Sequence, residues 1–250
     1  MNHLIIKTMT RFDWAGVAAA LERGRLIALP TDTVYGVACK PEPEALARLF
    51  AAKGRAAEKP VALVFPDAEQ VFYDFPPLPP AVTNAVEALL PGPVTLVLPF
   101  AGAAPAAAMS ATAPATEAAA TPTAAAEPAG SAAATKRVAL AAIARVAIGG
   151  GVGVRALPQP QAALFERLPF PLALTSANLA GGAAPCAAAA IPEELRQACE
   201  YVLDGGPIDP CRSSTVVDLR PLAAGQPAAI LREGAADRDE IAREIGRLGA

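Results

Sequence analysis

Short apolar runs alternate with helical patterns along most of the chain, and this alternation constrains the fold more than any other feature. Residues 25–29, 61–65 and 94–98 are apolar stretches bounded by proline or glycine, which is typical of buried strands. Between them, residues 42–52 carry apolar side chains at the spacing of one helix face. Strands that alternate with helices predict an α/β domain built on a sheet.

The same pattern continues on either side of these segments. Asp13 is placed to cap the start of a helix that Gly24 is placed to end. We also predict helices at residues 81–90, 164–168, 193–201 and 237–248, and strands at residues 152–155, 171–174, 214–219 and 228–232. The last two strands are expected to pair as a hairpin.

One segment breaks the pattern. Residues 101–135 are more than half alanine, prolines punctuate them, and Met109 is their only large apolar residue. Such a composition cannot bury enough surface to offset the entropy of ordering the chain. We therefore predict a single domain over residues 1–250, interrupted at about 101–135 by a disordered insertion rich in Ala, Pro and Thr.

Composition excludes several classes of function. The chain has one histidine, His3, so we expect neither a Ser-His-Asp triad nor a multi-histidine metal site. With 21 basic and 24 acidic residues the formal charge is −3, which argues against a duplex-DNA binder. The sequence has no signal-peptide pattern and no run of about 18 apolar residues. We therefore expect a soluble, cytoplasmic protein with no membrane contact.

The cysteines do not form a metal or redox motif. Cys39, Cys186, Cys199 and Cys211 include no C-x-x-C pair, which excludes a zinc ribbon and a thioredoxin-like motif. Four cysteines in a chain of this length do not suggest a secreted disulfide scaffold. We predict that all four are reduced thiols.

Polar residues follow the ends of the predicted strands, where open α/β sheets bind their ligands. They are mainly cations, hydroxyls and one amide: Thr31, Asp32, Thr33, Tyr35, Lys53, Arg55, Lys59, Arg155, Ser176, Asn178, Ser214 and Arg232. The cations match the oxygens of a phosphate or carboxylate ligand. The chain has neither a G-x-x-x-x-G-K-[ST] loop nor a strand-linked G-x-G-x-x-G, so side chains and strand-end amides would have to hold a nucleotide.

Each of these groups also has a purely structural interpretation. Lys53 could complement a helix dipole, and residues 149–151 could form only a turn. Residues 176–178 could bond to their own backbone, and Asp32 could cap a turn. The arginines at 155 and 232 could form surface ion pairs worth at most about 1 kcal/mol each. The residue types alone therefore predict an α/β domain with an anion or nucleotide site.

Seven motifs in one order carry a resemblance to a known family. They are Pro-Thr-Asp-Thr-Val-Tyr-Gly at 30–36, Lys-Gly-Arg at 53–55 with Lys-Pro at 59–60, Pro-Gly-Pro-Val-Thr at 91–95, Gly-Val-Arg at 153–155, Thr-Ser-Ala-Asn-Leu at 175–179, Ser-Thr-Val-Val-Asp at 214–218 and Ile-Leu-Arg at 230–232. Together they resemble the YrdC-like threonylcarbamoyl-AMP synthase family, over nearly the whole chain except residues 101–135 and the two ends. The chain is similar to the short, single-domain form of that family.

The resemblance implies a YrdC-like α/β fold, a twisted, open mixed sheet flanked by helices with a concave, positively charged face. It also implies synthesis of threonylcarbamoyl-AMP and pyrophosphate from L-threonine, bicarbonate and ATP, with Mg²⁺ held mainly by the ATP phosphates and water. A partner complex would then transfer the threonylcarbamoyl group to an adenosine of certain tRNAs. Such chemistry needs positioning and cationic stabilisation of phosphates, so a catalytic histidine is dispensable.

The resemblance also assigns roles to individual residues. Threonine would be held by Thr33, Arg155, Ser214 and the carbonyl of Leu174. The family's K-x-R and S-x-N groups, which surround the phosphates and the reacting carbamate, are matched by Lys53, Arg55, Ser176 and Asn178. ATP would be contacted by Arg55, Lys59, Gly151, Ser176 and Arg232.

The sequence departs from the family pattern at several positions, and two other functions stay open. The departures are Ala56, Val64, Gly151, Gln159, Ala180, Ala184 and Glu233. Gly151 stands where a threonine is frequent, so only its backbone can contact ATP. A non-catalytic RNA-binding or ribosome-maturation factor could use the same concave face, with Tyr35 as its only obvious stacking aromatic. A related carbamoyl-transfer domain could act on another acceptor, although such domains usually belong to longer chains.

Overall fold

The computed structural model describes residues 5–8, 13–54, 61–100, 146–147, 149–159 and 161–246. These residues form strands β1 (Ile5–Thr8), β2 (Leu26–Pro30), β3 (Tyr35–Cys39), β4 (Ala62–Phe65), β5 (Val94–Pro99), β6 (Gly151–Ala156), β7 (Leu172–Ser176), β8 (Cys199–Asp204), β9 (Thr215–Asp218) and β10 (Ala229–Arg232). They form helices α1 (Trp14–Glu22), α2 (Pro43–Ala52), α3 (Ala68–Asp74), α4 (Pro80–Leu89), α5 (Glu193–Ala198) and α6 (Arg238–Ile245), and 3₁₀ helices at Gln161–Arg167, Ala188–Ala190 and Arg220–Ala224. The predicted insertion at 101–135 lies outside the described residues.

All the described strands belong to one mixed sheet. Its order is β1-β8-β2-β3-β7-β4-β6-β5-β9-β10. Strand pairs are parallel at β1/β8, β8/β2, β4/β6 and β5/β9, and antiparallel at β2/β3, β3/β7, β7/β4, β6/β5 and β9/β10. The predicted α/β class with an open mixed sheet is confirmed. The predicted late hairpin is also confirmed, and in it Ile230 lies opposite Val217.

The sequence prediction was wrong around residue 200 and incomplete in three other places. The helix predicted over 193–201 ends at Ala198, and the chain continues as β8 between β1 and β2. Cys199, Val202 and Leu203 are buried there, so strand pairing on both sides overrides the local helical pattern. Strands β1 and β3 and helix α3 were not predicted.

Helix ends follow local chemistry. The predicted cap at Asp13 is confirmed, because its Oδ1 accepts a hydrogen bond of 3.0 Å from the backbone N–H of Gly16. Pro43 and Pro80 occupy the first positions of α2 and α4, where the missing N–H leaves no helical bond unmade. Helix α2 ends at Lys53, which brings that lysine to the sheet.

Apolar residues cover the sheet on both faces. One core cluster packs α2 and α4 onto one face through residues that include Leu46, Leu49 and Val86. A second cluster packs α1 onto the other face through Val17 and Leu21. Burying one such side chain stabilises the fold by about 1.5–3 kcal/mol. Both faces therefore contribute to the stability of the sheet.

Strand alternation leaves part of the second face polar. On β6, Val152 and Val154 point into the first core, so Gly151, Gly153 and Arg155 lie on the opposite face. On β5, Leu96 and Leu98 likewise lie in the first core and Thr95 faces the other way. The opposite face of these strands is thus lined with small and polar residues.

The prediction of four reduced cysteines is correct for two and wrong for two. Cys39 and Cys199 are buried thiols, and burial raises the pKa of each to about 12. Cys186 and Cys211 form a disulfide, with their Cα atoms 5.6 Å apart. Local spacing could not reveal this pair, because two loops 25 residues apart bring the sulfurs together. None of the helices among the described residues has the length and the apolar character of a membrane span.

Candidate functional site

A cavity of about 510 Å³ lies over the polar part of the second face. Four charged side chains among the described residues line it, and all are cations: Lys53, Arg155, Arg220 and Arg232. Hydroxyl groups also line it, from Thr31, Thr95, Thr175, Ser176, Ser213 and Ser214. A concave, cation-lined space of this size suits an anionic small molecule.

Glycines form part of the cavity wall because the neighbouring strands leave no room for side chains. A Cβ atom on Gly151 would lie 2.7 Å from Cγ1 of Val97, and one on Gly153 would lie 3.3 Å from Cγ2 of Thr95. Gly151, which the family resemblance assigns to ATP, lines the cavity. Leu174 also lines it, from the central strand β7.

Lys53 and Ser176 meet at one end of the cavity. Lys53 is only 2% exposed, and its Nζ donates a hydrogen bond to the backbone oxygen of Ser176. The backbone oxygen of Lys53 accepts a bond of 3.1 Å from the N–H of Ala180. The end of α2 is therefore tied to the segment that follows β7, and the lysine is fixed at the cavity wall.

Asn178 organises the turn after β7. Its Nδ2 donates to the backbone oxygens of Leu179 and Gly182 at 2.8 and 2.7 Å. Its Oδ1 accepts a bond of 2.5 Å from the hydroxyl of Ser176. The structural interpretation of this motif is therefore confirmed for the Asn178 amide, which also positions the Ser176 hydroxyl.

Arg155 is an enclosed cation of the cavity. Its Nη2 donates to Oδ1 of Asp32 at 2.5 Å, and its side chain is 6% exposed. Both Nη atoms also lie 3.3 Å from Oγ1 of Thr33, which is fully buried behind the arginine. The surface-ion-pair interpretation of Arg155 is therefore wrong, and Asp32 pairs with the arginine across the sheet.

Burial dominates the electrostatics of this pair. Loss of water raises the pKa of the Asp32 carboxyl and lowers the pKa of Arg155, and the attraction between the two groups opposes both shifts. Oδ2 of Asp32 and Nε of Arg155 are buried and have no hydrogen-bond partner among the described residues. A buried guanidinium held by one carboxylate oxygen is a strong anchor for a second, incoming carboxylate.

Ser214 and Arg232 form another part of the cavity wall. The Ser214 hydroxyl lies 2.8 Å from the Thr95 hydroxyl, and the Ser214 backbone oxygen accepts a bond of 2.8 Å from Nη2 of Arg232. Burial lowers the pKa of Arg232. Gly234 packs against this segment so closely that a Cβ atom there would lie 2.2 Å from the backbone oxygen of Ser213. The chain after β10 is thereby held against Ser214.

The structure adds contacts that the sequence did not predict. Thr95 and Arg220 line the cavity, and Asp32 and Asp218 hold its arginines. Thr95 belongs to one of the quoted motifs, which was its only sequence signal. The contacts of Arg220 depend on the fold, because Gly149, whose backbone oxygen it bonds, lies 71 residues away.

Two predicted site residues and one stacking candidate have different outcomes. Arg55 and Lys59 lie outside the described residues, so their assignments stay predictions. Tyr35 does not face the cavity: it is fully buried, and its hydroxyl donates to the backbone oxygen of Gly206 at 2.7 Å. Burial raises its pKa to about 12. The interpretation of Tyr35 as a platform for RNA bases is therefore wrong.

Known proteins share both the sequence pattern and the fold. The model of the Sua5/YciO/YrdC family, described as telomere recombination, matches residues 19–126 and 134–234. A threonylcarbamoyl-AMP synthase of Pyrococcus abyssi is 29% identical over 236 residues, which cover 92% of this chain and 56% of the relative. A threonylcarbamoyl-AMP synthase of Bacillus subtilis is 27% identical over 237 residues, which cover 94% of this chain and 57% of the relative.

A solved structure gives the same picture. The crystal structure of P. abyssi Sua5 complexed with L-threonine superposes with a TM-score of 0.71 and 28% identity, covering 98% of this chain and 62% of that one. The large sheet flanked by helices is therefore shared. This chain spans less than two thirds of the length of each of these three proteins.

Proposed function

Because the chain belongs to the Sua5/YciO/YrdC family, we propose that it synthesises threonylcarbamoyl-AMP from L-threonine, bicarbonate and ATP. The observation that carries this proposal is one cavity that gathers Lys53, Arg155, Ser176, Ser214 and Arg232 from distant parts of the chain. The names of the P. abyssi and B. subtilis relatives, and the L-threonine in the P. abyssi structure, support it.

The proposed reaction needs two bond-forming steps. The amine of threonine adds to the carbon of bicarbonate, and water and a carbamate result. A carbamate oxygen then attacks the α-phosphorus of ATP, the bond from that phosphorus to the bridging oxygen breaks, and pyrophosphate leaves with the electron pair. Both steps depend on positioned reactants and on stabilisation of negative charge. The cavity offers cations and hydroxyls for this purpose.

Arg155 is the proposed anchor of the threonine carboxylate. The guanidinium is enclosed, fixed in direction by Asp32 and Thr33, and lines the cavity. A guanidinium and a carboxylate form charge-assisted hydrogen bonds that are roughly twice as strong as neutral ones. The Ser214 hydroxyl, held by Thr95, supplies a further polar contact for the amino acid. Leu174 lines the same space, and its carbonyl is the proposed backbone acceptor.

Lys53 and Arg232 are the proposed contacts for the phosphates. Lys53 donates a hydrogen bond to the backbone oxygen of Ser176 and lines the cavity beside that serine. Arg232 reaches the cavity from the sheet edge. Arg55 and Lys59 complete the nucleotide contacts in this proposal, with Arg55 beside the reacting carbamate. Two lysine charges and two guanidinium forks would then face the triphosphate.

Mg²⁺ enters this scheme as part of its substrate, MgATP. Among the described residues, no group of three or more His, Cys, Asp or Glu side chains could hold a metal ion. Asp32 and Asp218 are each engaged by an arginine. In this proposal the magnesium ion is held by phosphate oxygens and water.

The product requires a partner. An acyl-type adenylate is a reactive intermediate, so we propose that a transferase complex passes its threonylcarbamoyl group to a tRNA adenosine. ATP, threonine and tRNA occur together in the cytoplasm, which is the proposed location. The RNA-binding alternative has lost its stacking aromatic, because Tyr35 is buried.

Pyrophosphate release tests the proposal. Purified protein is incubated with MgATP and bicarbonate, with and without L-threonine, and pyrophosphate is measured by a coupled assay. We expect release only with threonine, and Arg55→Ala should reduce the rate by about a hundredfold. Arg238→Met, at an exposed position of α6, is the matched control and should keep the wild-type rate. Pyrophosphate release that does not depend on threonine would contradict the proposal. A wild-type rate of release by Arg55→Ala would contradict the role of Arg55.

A further inference from the structure

Arg220 lines the same cavity but belongs to none of the motifs that predict the site. It begins the 3₁₀ helix that follows β9. Its Cδ and Nη1 atoms lie beside Gly151, at 3.1 and 3.3 Å from where a Cβ atom would stand. We propose that Arg220 is a further nucleotide-binding residue, which donates hydrogen bonds to the phosphate oxygens of ATP beside Gly151.

The guanidinium of Arg220 is fixed before any ligand arrives. Its Nε and Nη2 donate to Oδ1 and Oδ2 of Asp218 at 2.8 and 2.6 Å, and its Nη1 donates to the backbone oxygen of Gly149 at 2.8 Å. The backbone N–H of Arg220 also donates to Asp218. A side chain held at three points loses little further freedom when it binds a ligand.

The remaining donors suit a phosphate. A guanidinium carries five N–H groups, and the bonds to Asp218 and Gly149 use three of them. The side chain is 35% exposed, so it is accessible from the cavity. The other charged groups in the described lining, Lys53, Arg155 and Arg232, are also cations, so the local field favours an anion.

Gly151 and Arg220 form a matched pair. A side chain at 151 would collide with Val97 at 2.7 Å and press on Cδ of Arg220 at 3.1 Å. The absence of a side chain at this position thus makes space for the arginine. Where the resemblance leads us to expect a hydroxyl side chain for ATP, this chain presents backbone only, and the Arg220 guanidinium supplies the side-chain donor in its place.

Direct binding tests this assignment, which rests on the proposed use of ATP but not on turnover. Titration calorimetry without threonine and bicarbonate compares the wild type with Arg220→Met, using ATP, tripolyphosphate and adenosine as separate ligands. Loss of charge-assisted hydrogen bonds should lower the affinity for ATP and for tripolyphosphate by about tenfold to a hundredfold. Adenosine binding should not change. The exposed Arg238→Met is the control and should bind all three ligands as the wild type does.

A second variant separates binding from a merely structural role. Gly151→Ala should displace Arg220 and weaken ATP binding in the wild-type background. In the Arg220→Met background the same substitution should have a much smaller effect on ATP binding. L-threonine binding, measured separately, should stay within about twofold in Arg220→Met. Independent effects of Gly151→Ala and Arg220→Met on ATP affinity would overturn the proposal. A loss of threonine affinity in Arg220→Met as large as the loss of ATP affinity would also overturn it.

The outcomes also distinguish this proposal from the proposed reaction. A wild type that binds ATP but forms no adenylate product would contradict the reaction and leave the Arg220 result to be judged by the titrations. The assignment of Arg220 would be overturned if Arg220→Met kept its ATP affinity, or if it lost affinity for adenosine as much as for ATP. It would also be overturned if the wild type did not bind ATP or tripolyphosphate.

Discussion

Arg155 and Arg232 are cations of one cavity in two different environments. Arg155 lies on β6 inside the sheet, its side chain is 6% exposed, and it is paired with Asp32. Arg232 lies on the edge strand β10, is exposed, and bonds the backbone oxygen of Ser214. Burial with a partner fixes the direction of a charge, whereas an edge position lets the charge adapt to its ligand and leaves it open to salt.

This difference matches the two proposed substrates. Threonine is small and its carboxylate must be held in one direction if the amine is to react, which suits the enclosed Arg155. A triphosphate is long and multiply charged, and several cations can share it. The cavity therefore offers an enclosed, oriented guanidinium for the amino acid and an exposed guanidinium for the nucleotide.

The largest expected effect is the loss of the buried partner. Arg155→Met leaves Asp32 buried and unpaired, so the free energy of unfolding should fall by about 3–5 kcal/mol. Arg232→Met removes an exposed charge and should lower it by less than about 1 kcal/mol. Urea unfolding of both variants measures the difference. Equal destabilisation would show that the two arginines do not differ in their contribution to stability.

Removing only the charge of Asp32 sharpens the comparison. Asp32→Asn should raise the KM for threonine by roughly tenfold while kcat changes less, because Arg155 loses its orienting carboxylate. The KM for ATP should stay within about twofold. Steady-state kinetics with each substrate varied in turn measures both values. An equal rise of the KM for threonine and the KM for ATP would contradict a role of Asp32 in threonine binding alone.

The pH dependence of Asp32 has a defined sign. Its pKa in the folded protein is raised by burial, so protonation becomes favourable in the native state as the pH falls toward and through that pKa. The free energy of unfolding of the wild type should therefore rise relative to that of Asp32→Asn over this acidic window. Threonine binding should weaken over the same window, because the protonated carboxyl no longer pairs with Arg155. Unfolding and binding measured across acidic pH in both proteins would reveal these opposite trends, and identical pH profiles for the two proteins would contradict them.

Thr95 gives a smaller, local test. Thr95→Val removes the hydroxyl that holds Ser214, so the KM for threonine should rise by about fivefold, the equivalent of one neutral hydrogen bond. Thr83→Val on α4 removes a hydroxyl of the same type outside the cavity lining and is the matched control. Kinetics of the two variants provide the measurement. An equal effect of both substitutions would rule out a specific role for Thr95.

Salt should produce the smallest effect. Raising the KCl concentration from about 0.05 to about 0.5 M should raise the KM for ATP by roughly twofold to threefold and leave the KM for threonine nearly constant, because exposed charges are screened more than buried ones. Arg232→Met should reduce this salt dependence. If the KM for threonine rose as steeply with salt as the KM for ATP, threonine would not be held by an enclosed Arg155.

Local patterns predicted the elements that local sequence controls. The Asp13 cap, helix α2 and the β9/β10 hairpin each depend on neighbouring residues, and all were predicted. Strand β8 was missed because its partners β1 and β2 lie far away in the sequence. Pairing across the sheet overrode the helical pattern there.

The site shows the same limit. The motifs indicated Lys53, Arg155 and Ser214, which do line one cavity. They could not show that Asp32 would pair with Arg155, because 123 residues separate the two. The burial of Tyr35 and the disulfide between Cys186 and Cys211 likewise depend on how distant segments meet.

The most direct test of the central claim follows the carbon of bicarbonate. Protein, MgATP, L-threonine and ¹³C-bicarbonate are incubated, and the nucleotide products are analysed by mass spectrometry. We expect an adenylate with the mass of threonylcarbamoyl-AMP that carries the label and appears together with pyrophosphate. An adenylate that lacks the label, or no adenylate from folded protein that binds both ATP and threonine, would contradict it.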